Sequence, residues 1–158
     1  MSDILIRKAT KDDSKLILDL ITELGIYEKL EHEITATVEQ IENEIFNNKS
    51  AVVYIAEYKS KPVAYSLHFY TFSTFLAKKG IYLEDLFVLE EYRGKGIGKS
   101  LLKNIAKEAV DNAFGRVEWS VLDWNKPAID FYKSIGAFPQ EEWTMYRLTG
   151  DALINFAK

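Results

Sequence analysis

Apolar residues recur with the period of a helix in some segments and with the period of a strand in others. Residues 4–7 are a short apolar run that predicts a strand. Thr10 followed by Asp13 predicts the capped start of a helix that runs to about Leu30, and Thr37 followed by Gln40 predicts a second helix. The apolar positions lie on one face of each helix: Leu16, Leu20, Leu24 and Tyr27 in the first, and Val38, Ile41 and Ile45 in the second.

Three strands are predicted next. Residues 51–58 and 63–72 are rich in β-branched and aromatic side chains, and the polar segment 59–62 between them is typical of a hairpin turn. Residues 81–89 predict the third strand of this meander. The chain then enters a segment rich in glycine, which a helix follows.

Helices and strands alternate in the second half of the chain. The helix after the glycine segment has an apolar stripe formed by Ile97, Leu101, Leu102, Ile105, Ala106 and Ala109. Residues 116–122 predict a strand, Pro127 suits the first turn of another helix to about Ile135, and Gly136 ends that helix. A strand at 144–148 and a short terminal helix complete the order β-α-α-β-β-β-α-β-α-β. This order predicts an α/β (mixed α+β) fold with a central mixed, mostly antiparallel sheet flanked by helices. In such a fold a ligand binds beside the carboxyl ends of the central strands.

Length and composition narrow the class of protein. With 158 residues and 47% hydrophobic content, we expect one domain over residues 1–158. The apolar runs are shorter than a membrane span and the first residues do not resemble a signal peptide, so we expect a cytoplasmic protein that does not enter a membrane. Without cysteine and with only two histidines, neither thiolate chemistry nor a metal site is expected. A net charge of -4 argues against nucleic acid and suits a cationic ligand.

The segment 93–98 contains three alternating glycines that let the backbone approach a ligand closely. A helix starts there, and Arg93, Lys95 and Lys99 add positive charge, so a phosphate or pyrophosphate is favoured, although an ordinary tight turn is the alternative. The glycine spacing excludes the P-loop, which needs four residues between its first glycine and Gly-Lys-Ser. It also excludes the dinucleotide fingerprint, whose third glycine stands one residue later.

The pattern Arg-x-x-Gly-x-Gly after a hydrophobic strand resembles the acyl-CoA signature of the GNAT superfamily of N-acetyltransferases. A second segment, with Asn125, Ala128, the Phe-Tyr-Lys string at 131–133 and Gly136-Ala137, resembles the family's other cofactor segment. Because the predicted order of elements is also the GNAT order, the resemblance covers essentially the whole chain.

Five short strings, at 27–28, 82–85, 91–94, 122–125 and 142–143, resemble the spermidine/spermine acetyltransferases and their thialysine N-ε-acetyltransferase relatives. The polyamine-acetylating members have an acidic residue shortly before the strand that carries Glu84. Here the segment 71–75 has no carboxylate. The resemblance therefore favours a lysine-like (thialysine-type) amine over a polyamine.

The resemblance implies acetyl-CoA as cosubstrate, no metal, a small-molecule amine substrate and a homodimer. It assigns cofactor contacts to Leu86, Phe87, Val88, Arg93, Gly94, Lys95, Gly96, Ile97, Gly98, Lys99, Asn125, Ala128, Tyr132 and Lys133. It assigns substrate contacts to Tyr27, Glu28, Glu84, Glu118, Trp119 and Ser120. Two other functions stay open: a non-catalytic acyl-CoA or nucleotide-binding module, and acetylation of protein amines.

Chemistry gives two of these residues catalytic roles. An alkyl ammonium with a pKa near 10.4 must lose a proton before it can attack, and Glu84 matches the family's base position. Tyr132 would protonate the departing CoA thiolate, because a phenol keeps its proton at neutral pH. Asp85 should point to the opposite face from Glu84 if the strand is regular, and His68 is interpreted as structural.

Overall fold

The structure, a computed structural model, describes residues 2–158, and the chain divides into two units after Ser120. The first unit contains a five-stranded sheet with strands β1 (Ile4–Lys8), β2 (Val52–Tyr58), β3 (Lys61–Ser73), β4 (Lys78–Val88) and β5 (Val117–Trp119). Their order across the sheet follows the chain, and every neighbouring pair is antiparallel except β4 and β5, which are parallel. The predicted mixed, mostly antiparallel sheet is thus confirmed.

Helices lie between these strands at the predicted places. Helix α1 (Ser14–Glu28) follows a 3-10 turn, α2 (Val38–Glu42) continues into a π-helical turn to Asn47, and α3 (Ile97–Asp111) follows the glycine segment. The backbone N–H of Thr10 donates to Asp13 at 2.8 Å, and Thr37 and Gln40 form a reciprocal capping box. The helix-capping interactions predicted from the sequence at these two helix starts therefore form in the structure.

The sheet is covered on both faces. On one face, α1 packs Ile17 and Leu20 against Ile55, Tyr65 and Phe87 of the sheet. On the other, the buried residues Ile97 and Leu101 of α3 pack with Ala56, Val63 and Ala64 of the strands. Adjacent residues of β2 and β3 thus serve opposite faces, as the period of a strand requires. This packing fixes the start of α3 next to the end of β4.

The second unit contains α4 (Lys126–Ser134) and α5 (Gly150–Phe156), and here one prediction is wrong. No strand forms at residues 144–148, where Met145 and Tyr146 are 70% and 91% exposed. Strand propensity is expressed only where a neighbouring strand supplies hydrogen bonds and packing, and in the described structure this segment has none. The strand predicted at 116–122 is also shorter, because β5 pairs with β4 only through three residues.

A polar cluster lies between β3 and α3, with His68 as its buried member. The imidazole of His68 is fully buried, its Nε2 lies 3.1 Å from Oε2 of Glu108, and its ring stacks on that of Tyr54. The hydroxyl of Tyr70 donates to the same carboxylate. Burial lowers the pKa of His68, opposed by the charge of Glu108, while Lys8 lowers this pKa further. Folding therefore favours the neutral imidazole, which fits a structural role.

This cluster predicts a loss of stability in acid. Since the pKa of His68 is lower in the folded chain than its ordinary 6.5, the unfolded chain binds the extra proton, and the free energy of unfolding falls as pH drops through about 6.5. His68→Gln should remove up to about 1.4 kcal/mol per pH unit of this dependence between pH 7.5 and 5.5. Urea unfolding across that range measures it. His32→Gln, at an exposed site, is the control, and an unchanged pH slope in His68→Gln would contradict the interpretation.

Candidate active site

Strands β4 and β5 part from each other halfway along β4. Their parallel pairing ends at Leu83 and Trp119, whereas β4 continues to Val88, which still pairs with Ala64 of β3. From Glu84 onward, the edge of β4 that faced β5 has no partner strand among the described residues of the first unit. Exposed backbone of this kind can pair with an extended ligand as an added strand. The predicted cofactor contacts Leu86, Phe87 and Val88 all lie on this stretch.

The glycine loop follows directly. A 3-10 turn at Glu90–Tyr92 leads to Arg93, and Gly94 and Gly96 have φ of 77° and 80° in the left-handed region, which favours glycine. Gly98 has no such requirement, and a methyl group there would meet Val88 Cγ2 at 3.6 Å, an ordinary contact. The backbone conformation thus explains why Gly94 and Gly96 are glycines. For Gly98, the close approach of a ligand is the remaining explanation.

The loop ends at the N-terminus of α3, where unpaired N–H groups and the helix dipole favour an anion. Lys95 and Lys99 are exposed beside it, and Lys95 Nζ lies 5.5 Å from the ring centroid of Tyr58. Ile97, in contrast, is buried in the core under α3, so only its backbone N–H can serve a ligand. This arrangement suits the predicted pyrophosphate.

A bulge interrupts β4 at the acidic residues. Leu67 pairs with Asp85 and His68 pairs with Leu83, so Glu84 is an extra residue between two paired positions. The strand is irregular here, so the condition under which Asp85 is expected to face away from Glu84 is not met. The carboxylates of Glu84 and Asp85 both raise the pKa of Tyr65.

Asp85 is the site residue that sequence reasoning missed. Its Oδ2 accepts a hydrogen bond of 2.8 Å from the hydroxyl of the fully buried Tyr65. Burial raises the pKa of Asp85 against the effect of that bond, and Glu84 raises it further. Burial and the charge of Asp85 likewise raise the pKa of Glu28 at the end of α1. Carboxylates that raise one another's pKa favour a cation between them. The signal in the sequence was an acidic pair inside an otherwise apolar strand.

An aromatic group lies between the end of α1 and the loop. Tyr27 precedes Glu28, and its ring centroid is 6.2 Å from that of Phe87. The guanidinium of Arg93 lies 4.4 Å above the Tyr27 ring, and Arg93 Nε donates to the carbonyl of Val88 at 3.0 Å. Residues predicted for the amine and for the cofactor therefore touch each other.

The predicted substrate contacts on β5 lie where the two strands part. The hydroxyl of Tyr82 and Ser120 Oγ are 2.6 Å apart and share a hydrogen bond. Trp119 is the last residue of β5 to pair with β4. Glu118 forms an ion pair of 2.9 Å with Arg116, which directly precedes β5, and this pair partly neutralises the charge of Glu118.

In the second unit, the remaining predicted residues lie on or beside α4. Asn125 occupies the N-cap position of the helix, Pro127 and Ala128 are in its first turn, and Tyr132 and Lys133 are in its last turn. Gly136 has a φ of 90°, as a glycine that follows a helix end often does. The helix and its end are thus as predicted, while the roles of Asn125, Ala128, Tyr132 and Lys133 stay predictions.

Comparison with known proteins decides the family. The family model "Acetyltransferase (GNAT) family" matches residues 17–137. This chain belongs to the GNAT family. A thialysine N-epsilon-acetyltransferase from Sus scrofa is 36% identical over 99% of each chain. An L-ornithine N5-acetyltransferase from Arabidopsis thaliana is 34% identical over 94% of this chain and 85% of the relative.

The fold has a solved counterpart as well. An integron cassette protein from the mobile metagenome of V. cholerae matches with a TM-score of 0.84 and 28% identity, over 100% of this chain and 99% of the other. As a GNAT member the chain is an acetyltransferase, of a family that uses acetyl-CoA as cosubstrate. Over residues 2–158, no group of three or more His, Asp or Glu is placed to hold a metal ion, and no helix is long and apolar enough to cross a membrane.

Gly98→Ala separates a ligand requirement from a folding requirement. Its melting temperature should equal or exceed that of the parent chain, because alanine is the better helix former by about 1 kcal/mol. Its Kd for CoA should rise at least about tenfold, or about 1.4 kcal/mol, because the methyl group occupies space that the pyrophosphate needs. Calorimetric titration and thermal unfolding measure the two effects. Lys103→Ala, at an exposed position of the same helix, is the control. Unchanged CoA affinity in the folded Gly98→Ala chain would contradict a pyrophosphate against this loop.

Proposed function

We propose that this chain transfers the acetyl group of acetyl-CoA to the primary amine of a small lysine-like or polyamine-like (thialysine-type) substrate. The observation that carries this proposal is the acidic group formed by Glu28, Glu84 and Asp85, located where β4 leaves β5. A primary amine is a cation at neutral pH, and this group stabilises a cation beside the edge of β4 to which the cofactor would bind.

The reaction is direct attack within a ternary complex, since the chain has no cysteine to carry the acyl group. Glu84, the exposed bulge residue, accepts a proton from the ammonium, directly or through water. The amine nitrogen then attacks the thioester carbon. A backbone N–H near Phe87 or Val88 donates to the resulting oxyanion. The C–S bond breaks, and Tyr132 donates a proton to the CoA thiolate. The amide nitrogen releases its remaining extra proton to water, and Tyr132 regains a proton from solvent.

Glu84 and Asp85 have different tasks in this scheme. Asp85 is more buried and is held by the Tyr65 hydroxyl, so it acts as a fixed charge that holds the cation. Glu28 and the ring of Tyr27 contribute from the end of α1. Asn125, Ala128 and Lys133 are assigned to the cofactor, and Glu118, Trp119 and Ser120 to the substrate.

The absence of carboxylates from the segment 71–75 bears on the size of the amine substrate. The hairpin from Thr71 to Phe75 has none, so a second ammonium far from the reacting one lacks a partner there. The similar thialysine and ornithine enzymes are named for amino acids with one side-chain amine. We infer a substrate of that size, and we regard residues 1–158 as one catalytic domain of a cytoplasmic homodimer.

Release of free CoA from acetyl-CoA tests the function. A panel of thialysine, lysine, ornithine, spermidine, a short diamine and a lysine peptide is compared by kcat/KM. We expect a lysine-like amine to exceed spermidine by at least about tenfold, a difference of about 1.4 kcal/mol in transition-state binding. If none of the amines causes release of CoA, the result would favour a non-catalytic acyl-CoA or nucleotide-binding module. A clear preference for the peptide would favour acetylation of protein amines.

Two isosteric variants separate the roles of the acidic residues. Glu84→Gln should lower kcat by about 10² to 10⁴ at pH 7, and the deficit should shrink toward pH 9.5, where more of the amine is already neutral. Asp85→Asn should instead raise the KM for the amine, with a smaller effect on kcat. Steady-state kinetics between pH 6.5 and 9.5 measure both. An equal effect of both variants on kcat at every pH would contradict this division.

A further inference from the structure

The side chain of Arg93 turns back from the glycine loop toward the amine side of the site. Its Nε donates to the carbonyl of Val88 at 3.0 Å, which anchors the side chain on β4. Its Cζ lies 4.4 Å from the ring centroid of Tyr27 and 5.3 Å from that of Phe87. One guanidinium therefore covers an aromatic pair that joins the end of α1 to the end of β4.

The members of this stack differ in how firmly the fold holds them. Phe87 is only 6% exposed and belongs to the core under α1. Tyr27 is the residue before the last of its helix, which Lys29 follows in the left-handed conformation with a φ of 60°. Its ring is half-buried at the margin of the same core, and Arg93 adds a contact from outside the helix by a cation–π interaction.

We propose that Arg93 is a positioning residue for the acceptor amine, because it clamps Tyr27 over Phe87 and so couples cofactor binding to amine binding. This inference rests on the proposed function. A guanidinium stacks through its face and donates hydrogen bonds through its edge, so Arg93 can hold the Tyr27 ring while its edge binds a phosphate oxygen. A bound cofactor orients the guanidinium, and the oriented guanidinium fixes Tyr27 next to Glu28. The coupling is reciprocal, so the amine strengthens cofactor binding by the same factor.

Kinetics of Arg93→Lys test the clamp, because lysine keeps the charge but loses the planar group and the Nε bond to Val88. We expect the KM for the amine at saturating acetyl-CoA to rise about tenfold. The Kd for CoA should rise as well, because the lysine ammonium does not reproduce the hydrogen bonds of the guanidinium edge, and saturation with acetyl-CoA keeps this second effect out of the amine KM. Lys99→Gln is the matched control for a change of charge in the loop, and it should raise the Kd for CoA with an unchanged KM for the amine. The same pattern in Arg93→Lys, a raised Kd for CoA with an unchanged amine KM, would overturn the proposal.

A double-mutant cycle shows whether Arg93 acts through Tyr27. Tyr27→Leu removes the ring, and adding Arg93→Lys to it should raise the KM for the amine no further. Independent, multiplicative effects of the two substitutions would show that Arg93 acts by another route. Thermal unfolding of each variant identifies any general loss of folding.

Ring signals of ¹³C-labelled tyrosine provide a readout that needs no turnover. The Tyr27 signal, identified by its loss in Tyr27→Phe, should shift on titration with CoA in the parent chain and shift less in Arg93→Lys. If no amine is acetylated, the proposed function fails, while this shift still supports the clamp. A Tyr27 signal that does not respond to CoA, or that responds equally in Arg93→Lys, overturns it.

Discussion

The parting of β4 from β5 is the constraint on which the rest of the site depends. Parallel pairing holds the strands together only up to Leu83 and Trp119, and beyond that point β3 is the only strand that pairs with β4 among the described residues of the first unit. A strand edge of this kind can bind an extended ligand as an added strand. The same strand leads into the glycine loop and the N-terminus of α3, where a pyrophosphate is favoured. Under the proposed function, one strand thus presents successive binding surfaces to an extended cofactor.

The bulge at Glu84 gives this edge its chemistry. By inserting one residue, it breaks the alternation of β4 and brings the charges of Glu84 and Asp85 to bear on the same buried Tyr65 hydroxyl. Burial and a neighbouring carboxylate raise the pKa of both Asp85 and Glu28. Under the proposed function, the ammonium of the substrate would offset this repulsion between carboxylates. The arrangement fits a GNAT acetyltransferase that acts on an amine, and it leaves the identity of the amine to contacts farther from the reacting nitrogen.

The stack of Arg93 on Tyr27 joins a residue assigned to the cofactor with one assigned to the amine. Arg93 is part of the glycine loop in the sequence, and its side chain contacts the aromatic group. In our proposal, this contact transmits the state of one side of the site to the other without movement of a whole domain. Such coupling suits a ternary mechanism, because the amine would then bind most tightly when acetyl-CoA is already bound.

Much of this protein could be predicted from the sequence because its signals are local. Helix starts at Thr10 and Thr37, the hairpin turn after Tyr58, the glycine spacing from Gly94 to Gly98 and the family resemblance all depend on residues close together in the chain. The wrong strand at 144–148 had strand propensity but no partner strand, and propensity alone does not make a sheet.

Only the tertiary structure decided where the pairing of β4 and β5 ends and that Glu84 forms a bulge. It also brings Asp85 to Tyr65, twenty residues away, and places Arg93 over the ring of Tyr27, sixty-six residues away. Each of these is a contact or a register between distant segments. A sequence pattern carries no record of register, because a single inserted residue reverses the face of everything that follows it.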